Sequence, residues 1–168
     1  MTSNSPIESK ICSSQEGALQ IVKEWKNAGF SIGFTNGCFD ILHKGHVCYL
    51  EEASNKVDRL ILGLNSDKSV RKLEKSANRP LQNEESRLYV MAALSSISLV
   101  VLFDDFTPLE LIKKLEPDTL FKGADYKIED IVGYKEVKAR GGKVLTIPLQ
   151  KGFSTTAIEQ KIIENTIQ

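Results

Sequence analysis

Short apolar runs alternating with amphipathic helices predict an α/β chain built on a doubly wound, five-stranded parallel sheet. Two further observations agree with this class. Residues 59–64 and 99–103 are nearly unbroken in apolar side chains, as strands covered on both faces are. The segments between the runs carry start and stop signals for helices.

The elements follow in order. Residues 1–12 are polar and read as a flexible leader, and residues 13–168 as a single domain. Ser13 and Glu16 have capping-box spacing, Ala18, Ile21, Val22 and Trp25 recur at helical period, and Gly29 supplies the stop. Residues 30–34 form the first predicted strand. A helix from Gly45 turns Val47, Leu50, Ala53 and Val57 inward, and residues 59–64 form the second strand. Asn83 caps a helix that buries Leu88, Met91 and Leu94. The third strand, 99–103, precedes Thr107-Pro108-Leu109-Glu110, with Thr107 as cap and Pro108 in the first turn. Residues 119–122 form the fourth strand. A helix over 129–140 stops at Gly141-Gly142, residues 143–148 form the fifth strand, and a helix from Ser154 closes the chain.

Composition narrows the function classes. Of 168 residues, 22 are Lys or Arg and 22 Asp or Glu, so the chain lacks the basic excess of a non-specific nucleic-acid binder. No apolar run is long enough to span a bilayer, and the start of the chain lacks a signal-peptide core. Cys12, Cys38 and Cys48 are odd in number and lack C-x-x-C spacing, which argues against a disulfide framework and for a reduced, cytoplasmic setting.

In a doubly wound sheet, ligands lie beyond the carboxyl ends of the strands at the switch point, which directs attention to the loops after the first and fourth predicted strands. The first reads Thr35-Asn36-Gly37-Cys38-Phe39-Asp40-Ile41-Leu42-His43-Lys44-Gly45-His46. It is a glycine-containing turn into a helix start, whose free N–H groups favour an anion. It is neither G-x-G-x-x-G nor a Walker loop. His43 and His46 flank Gly45, which lets a phosphate chain approach the backbone. Lys44 either adds charge or is a solvated surface residue. A zinc site with the cysteines is disfavoured, because His46 and Cys48 stand two apart on a helix and face different ways. Ser154-Thr155-Thr156 is a second helix start with hydroxyls, a pattern that by itself signals a cap.

The H-x-G-H tetrapeptide after T-x-G-x-F-D resembles the cytidylyltransferase-like nucleotidyltransferase superfamily. The ordered blocks 35–43, Leu64-Asn65-Ser66-Asp67, Asn78-Arg79-Pro80, Lys122-Gly123-Ala124-Asp125-Tyr126 and 154–156 resemble, more closely, the adenylyltransferase domain of bifunctional heptose kinase–adenylyltransferases or its stand-alone counterpart. The resemblance covers about residues 15–163. It implies a Rossmann-like nucleotidyltransferase fold and transfer of AMP from ATP to D-glycero-β-D-manno-heptose 1-phosphate, with pyrophosphate released. It also implies Mg²⁺ carried mainly by the ATP phosphates, a separate sugar kinase upstream, a role in surface-glycan or lipopolysaccharide core assembly, and a homodimer or larger assembly. A cytidylyltransferase acting on glycerol 3-phosphate would share the same apparatus.

Under that resemblance His43, His46 and Lys44 serve catalysis. Thr35, Asn36, Gly37, Cys38, Phe39, Gly45, Lys72, Lys122, Gly123, Ser154, Thr155 and Thr156 hold the nucleotide. Asp40, Asn65, Asp67, Arg79, Asp125 and Tyr126 meet the substrate; Asp125 and Tyr126 could equally meet base, ribose or sugar, and Asp40 could instead brace its loop. Glu74 stands where the family commonly has a basic residue, so Lys72 carries the phosphate contact of that segment. Arg87, with Glu84 and Glu85 nearby, reads as an anion contact or a surface ion pair. No protein-held metal site is expected.

Overall fold

The computed structural model describes residues 6–73, 79–150 and 152–166. Glu74, Lys75 and Asn78 therefore lie outside the described residues. The strands are β1 (Ile11–Cys12), β2 (Ile32–Gly37), β3 (Arg59–Asn65), β4 (Leu99–Phe103), β5 (Thr119–Gly123) and β6 (Lys143–Ile147). The helices are α1 (Gln15–Asn27), α2 (Lys44–Ser54), α3 (Asp67–Lys72), α4 (Glu84–Ala92), α5 (Leu109–Leu115), α6 (Tyr134–Ala139) and α7 (Thr155–Thr166).

Every described strand pair is parallel, and the sheet order is β1-β4-β3-β2-β5-β6. The order reverses between β2 and β5: the chain winds outward from β2 through β3 to β4, then returns to add β5 and β6 on the other side. That is the switch point, and the carboxyl ends of both strands border it.

The period of two along each strand divides the core. Phe34, Ile61, Val101 and Leu120 face α1, α5 and α6 with Val22, Ile112 and Val137. Leu60, Leu62, Val100 and Phe121 face α2 and α4 with Leu50, Ala53 and Met91. Each face must be apolar because each is covered, which is why the strands read as continuous runs.

The structure departs from the sequence reading in several places. The sheet has six strands rather than five, the extra one falling in the segment read as a leader. Ile11 and Cys12 pair with Val100 and Val101, Lys10 Nζ donates to the Leu94 carbonyl at 3.0 Å, and Tyr89 Oη donates to Glu8 at 3.2 Å. Two paired residues are too short to leave a periodic signal. The cap of α1 is Ser14, not Ser13: its Oγ accepts from Gly17 N at 3.0 Å. On α2, Val47 is 40% exposed while Tyr49 is buried. No side chain caps α5, so Thr107 does not have the expected role. The helix expected over 129–140 is split into a 3₁₀ turn, Ile128–Asp130, and α6, because Gly133 sits at φ +90°, a conformation that ends helical winding. The helix α3 was not expected from the sequence.

Candidate active site

A cavity of about 740 Å³ opens at the carboxyl ends of β2, β3 and β5. It is lined by the β2–α2 loop, by Lys122 and Gly123 beyond β5, and by the start of α7. Most of the site residues singled out from the sequence line this cavity, and none lines the smaller cleft of about 430 Å³ at the opposite ends of β2 and β5.

At its centre the two imidazoles stack. The rings of His43 and His46 lie 3.8 Å apart at 15°, with Phe39 against His46 at 5.0 Å. His43 is the N-cap of α2, and its Nδ1 accepts the His46 backbone N–H at 3.3 Å. That bond occupies the Nδ1 lone pair, so the neutral ring carries its proton on Nε2 as a donor. Burial, then the neighbouring His43, pushes the His46 pKa down to about 4, against a smaller opposing effect of the Ile41 carbonyl. Burial likewise lowers that of His43. Burial thus biases both rings toward the neutral form. His46 Nδ1 is buried without a hydrogen-bond partner among the described residues. Gly45 is needed between them: a Cβ there would stand 3.1 Å from the His43 ring and 3.2 Å from Phe153 Cβ.

Lys122 spans the switch point. Its Nζ donates to Asn36 Oδ1 at 2.7 Å and to the Asn36 carbonyl at 3.2 Å, and it lies 5.7 Å from the Tyr126 ring centre. The ammonium is thus held at the cavity wall by the end of β2. Asp125 and Tyr126 follow on the same wall. Across the cavity, Ser154 Oγ accepts from Ala157 N at 3.1 Å and so caps α7, while Thr155 and Thr156 line the cavity beside it.

Of the residues singled out from the sequence, the cavity gathers Asn36, Gly37, Cys38, Phe39, His43, Gly45, His46, Asn65, Lys122, Gly123, Asp125, Tyr126, Ser154, Thr155 and Thr156. The others are placed elsewhere. Thr35 is fully buried and shares a 2.8 Å hydrogen bond with Tyr49, whose pKa burial raises to about 12. It supports the floor without reaching a ligand. Lys44 is exposed, 5.5 Å from the Phe153 ring centre. Lys72 donates to the Asp104 carbonyl at 3.2 Å. Asp40 is 2% exposed, and its carboxylate accepts from Leu81 N and Gln82 N at 2.8–2.9 Å, so it braces its loop and has no face for substrate. Arg79 is paired with Glu159 instead of standing open to an anion.

Arg87 is no surface residue. It is 1% exposed, and its guanidinium donates to the carbonyls of Gln82, Cys38 and Asn65 and to Asp67 Oδ1. Asp67 is thereby spent on Arg87, while Asn65 turns its amide onto Ser69 Oγ at 2.9 Å. One planar donor group ties the β2–α2 loop, the end of β3 and the segment before α4 together. Its position one turn before Met91, on the inward face of α4, was the available signal. The sequence reading also missed Phe106, Thr107 and Pro108, which line the cavity after β4. An exposed aromatic at the carboxyl end of a strand could have marked them, since Phe106 is 62% exposed.

A neutral imidazole pair at a helix start, an ammonium fixed across the switch point and a capped second helix start around one cavity define a nucleotidyltransferase-type α/β protein. Residues 34–161 match the cytidylyltransferase-like family, and the chain belongs to it. It is 51% identical over 95% of its length to the bifunctional protein HldE of Rhodopseudomonas palustris (strain HaA2), and 54% identical over 90% to HldE of Caulobacter vibrioides. It spans about a third of those relatives, 32% and 31% respectively. The lipopolysaccharide core biosynthesis protein of Thermoplasma volcanium GSS1 has a similar structure, with TM-score 0.61 and 26% identity over 74% of this chain and all of that one. Pantoate-beta-alanine ligase of Francisella tularensis shares the fold alone, at TM-score 0.62 and 17% identity over 94% of this chain and 79% of that one.

Proposed function

We propose that this chain transfers AMP from MgATP to D-glycero-β-D-manno-heptose 1-phosphate, giving ADP-heptose and pyrophosphate. The observation that carries the reading is the stacked pair His43 and His46 in one cavity with Lys122 and the α7 start. The likeness to HldE proteins and to a lipopolysaccharide core biosynthesis protein supports the sugar substrate. A sugar kinase would supply the 1-phosphate, and the cytoplasm, where ATP is available, is the compartment we assign. No described helix is long and apolar enough to cross a membrane.

A phosphate oxygen of the sugar 1-phosphate attacks the α-phosphorus of ATP. The new P–O bond forms as the bond to the bridging α–β oxygen breaks, and pyrophosphate leaves with that electron pair. The nucleophile is already anionic, so no general base is required. Catalysis then rests on alignment and on donors aimed at growing negative charge. The His43 Nε2–H and the His46 ring supply such donors, Lys122 adds fixed positive charge, and the α7 start takes the outer phosphates. Mg²⁺ bound to the nucleotide would supply charge neutralisation for the phosphates, and Asp125 and Asp130, which line the cavity, are the carboxylates that would face it.

The test is pyrophosphate release with Mg²⁺, crossing ATP and CTP against heptose 1-phosphate and glycerol 3-phosphate. Turnover confined to ATP with the heptose supports the proposal. Turnover with CTP and glycerol phosphate would keep the chemistry and reject these substrates.

A further inference from the structure

The last helix, α7, carries Ser154–Thr156 at its start yet has no buried residue along its described length. Ile162 and Ile163 are 57% and 58% exposed, so the far half of the helix contributes little to seating it. Among the described residues of α7 only Ile158 is a half-buried apolar side chain, so apolar burial, which holds most helices in place, does little to orient this one. Two further contacts are described. Phe153 sits against Gly45 and under Lys44 at the first turn of α2. One turn into α7, Glu159 forms a two-point pair with Arg79: Nε to Oε1 at 3.1 Å and Nη2 to Oε2 at 2.5 Å, with side chains 16% and 25% exposed. The fork-to-carboxylate geometry fixes direction as well as distance.

We propose that the Arg79–Glu159 pair is a positioning latch that holds the phosphate-binding start of α7 in the nucleotide site. This rests on the reading of that site as a triphosphate site. Arg79 acts through Glu159 and touches no substrate. Without the latch α7 is docked for a smaller fraction of the time, and apparent nucleotide affinity falls by that fraction. Bound triphosphate draws the helix back, so the saturated rate changes little. Residues in one ion-pair network couple by amounts equivalent to roughly 2- to 100-fold, which sets the scale.

The experiment is a charge-swap cycle: Arg79→Met, Glu159→Gln, and the double variant Arg79→Glu/Glu159→Arg. Each is measured for ATP KM and kcat, for ATP Kd by calorimetry, and for amide hydrogen exchange in residues 155–166. Both single variants should raise KM and Kd for ATP about tenfold and leave kcat within about threefold. They should speed exchange in α7 while sheet exchange stays as in the parent, and the swap should recover most of each loss. Glu159→Gln with parental nucleotide affinity and exchange would overturn the latch, as would a swap that recovers nothing. Arg79→Lys, which keeps charge but loses the fork, replaces Arg79→Met if that variant fails to fold. If the parent turns over no tested sugar phosphate, the calorimetric and exchange arms still decide the latch, separately from the substrate assignment.

Discussion

Arg87 and Asp67 form a 2.7 Å ion pair in which the guanidinium is fully covered and the carboxylate side chain is 19% exposed. The same guanidinium reaches the carbonyls of Cys38 and Asn65, both at 2.7 Å. Removing it takes this donor away from a partly buried carboxylate and from inward carbonyls. Arg87→Met should therefore cost about 3–5 kcal/mol of stability. Arg87→Lys should recover little, since an ammonium cannot reproduce the planar fork. Asp67→Asn should cost less, because the guanidinium retains its carbonyl partners. Urea unfolding of the three variants checks the order. A small loss for Arg87→Met would mean that the network relaxes around its absence.

His46→Ala should lower kcat about 100- to 1000-fold while ATP affinity changes far less, because the contact strengthens as charge grows in the transition state. Steady-state kinetics with calorimetric ATP binding separates the two. Near-parental turnover would remove His46 from the mechanism.

Asp40 accepts from two successive backbone N–H groups on the segment after Pro80, and Gln82 returns a bond to the Asp40 carbonyl. Asp40→Ala should lose about 2–3 kcal/mol, the scale of hydrogen bonds to a charged acceptor. A direct substrate ligand would behave differently: stability would hold while sugar-phosphate KM alone rose. Thermal melts beside KM measurements tell these apart.

How much was legible in the sequence differs by residue, for physical reasons. Strands β3 and β4 read plainly because burial on both faces makes them continuous apolar runs, and 99–103 matches β4 at both ends, whereas β2 runs on through Thr35–Gly37, polar and glycine positions that read as loop. The Asn83 cap was equally local: its Oδ1 accepts from Ser86 N at 2.9 Å. His43 and His46 were legible because loop, glycine and helix start all lie within a dozen residues. Arg79, Asp40 and Arg87 were not, because their partners are 80, 41–42 and up to 49 residues away. A charged residue reads the same in sequence whether it meets a ligand or a distant chain segment. Ile11–Cys12 was hidden for a related reason: its strand character comes from β4, not from its own pattern.

Gly45→Ala should be damaging out of proportion to one methyl group. The added carbon would press on the His43 ring at 3.1 Å and on Phe153 Cβ at 3.2 Å, displacing a donor and the residue that seats α7 together. The neighbours must give by a few tenths of an ångström, and misalignment of that size is expected to cost about 10-fold in turnover, less than the ~100-fold of a full ångström. Stability should change by less than about 1 kcal/mol, since alanine favours the helix that glycine weakens. Equal losses in stability and turnover would point to general unfolding instead.

The stacked imidazoles also set a pH dependence. In the folded protein burial holds His46 at about 4, whereas in the unfolded chain an imidazole titrates near 6.5. Between those values the unfolded state binds a proton that the folded state refuses. Stability from this group is therefore complete above about 6.5 and is lost as pH falls toward 4. The direction is the same for His43. Melting temperature followed from pH 7 to about 5, above most carboxylate titrations, should fall faster for the parent than for His46→Gln, and superimposable slopes would show that His46 is not held neutral. A triphosphate bound beside the pair reverses the balance, because an anion favours the charged imidazole. ATP binding near pH 5.5 should then be accompanied by net proton uptake, seen as a dependence of the calorimetric heat on buffer ionisation enthalpy. That uptake should shrink in His46→Gln. Its persistence there would assign the proton to His43 and leave His46 neutral throughout the cycle.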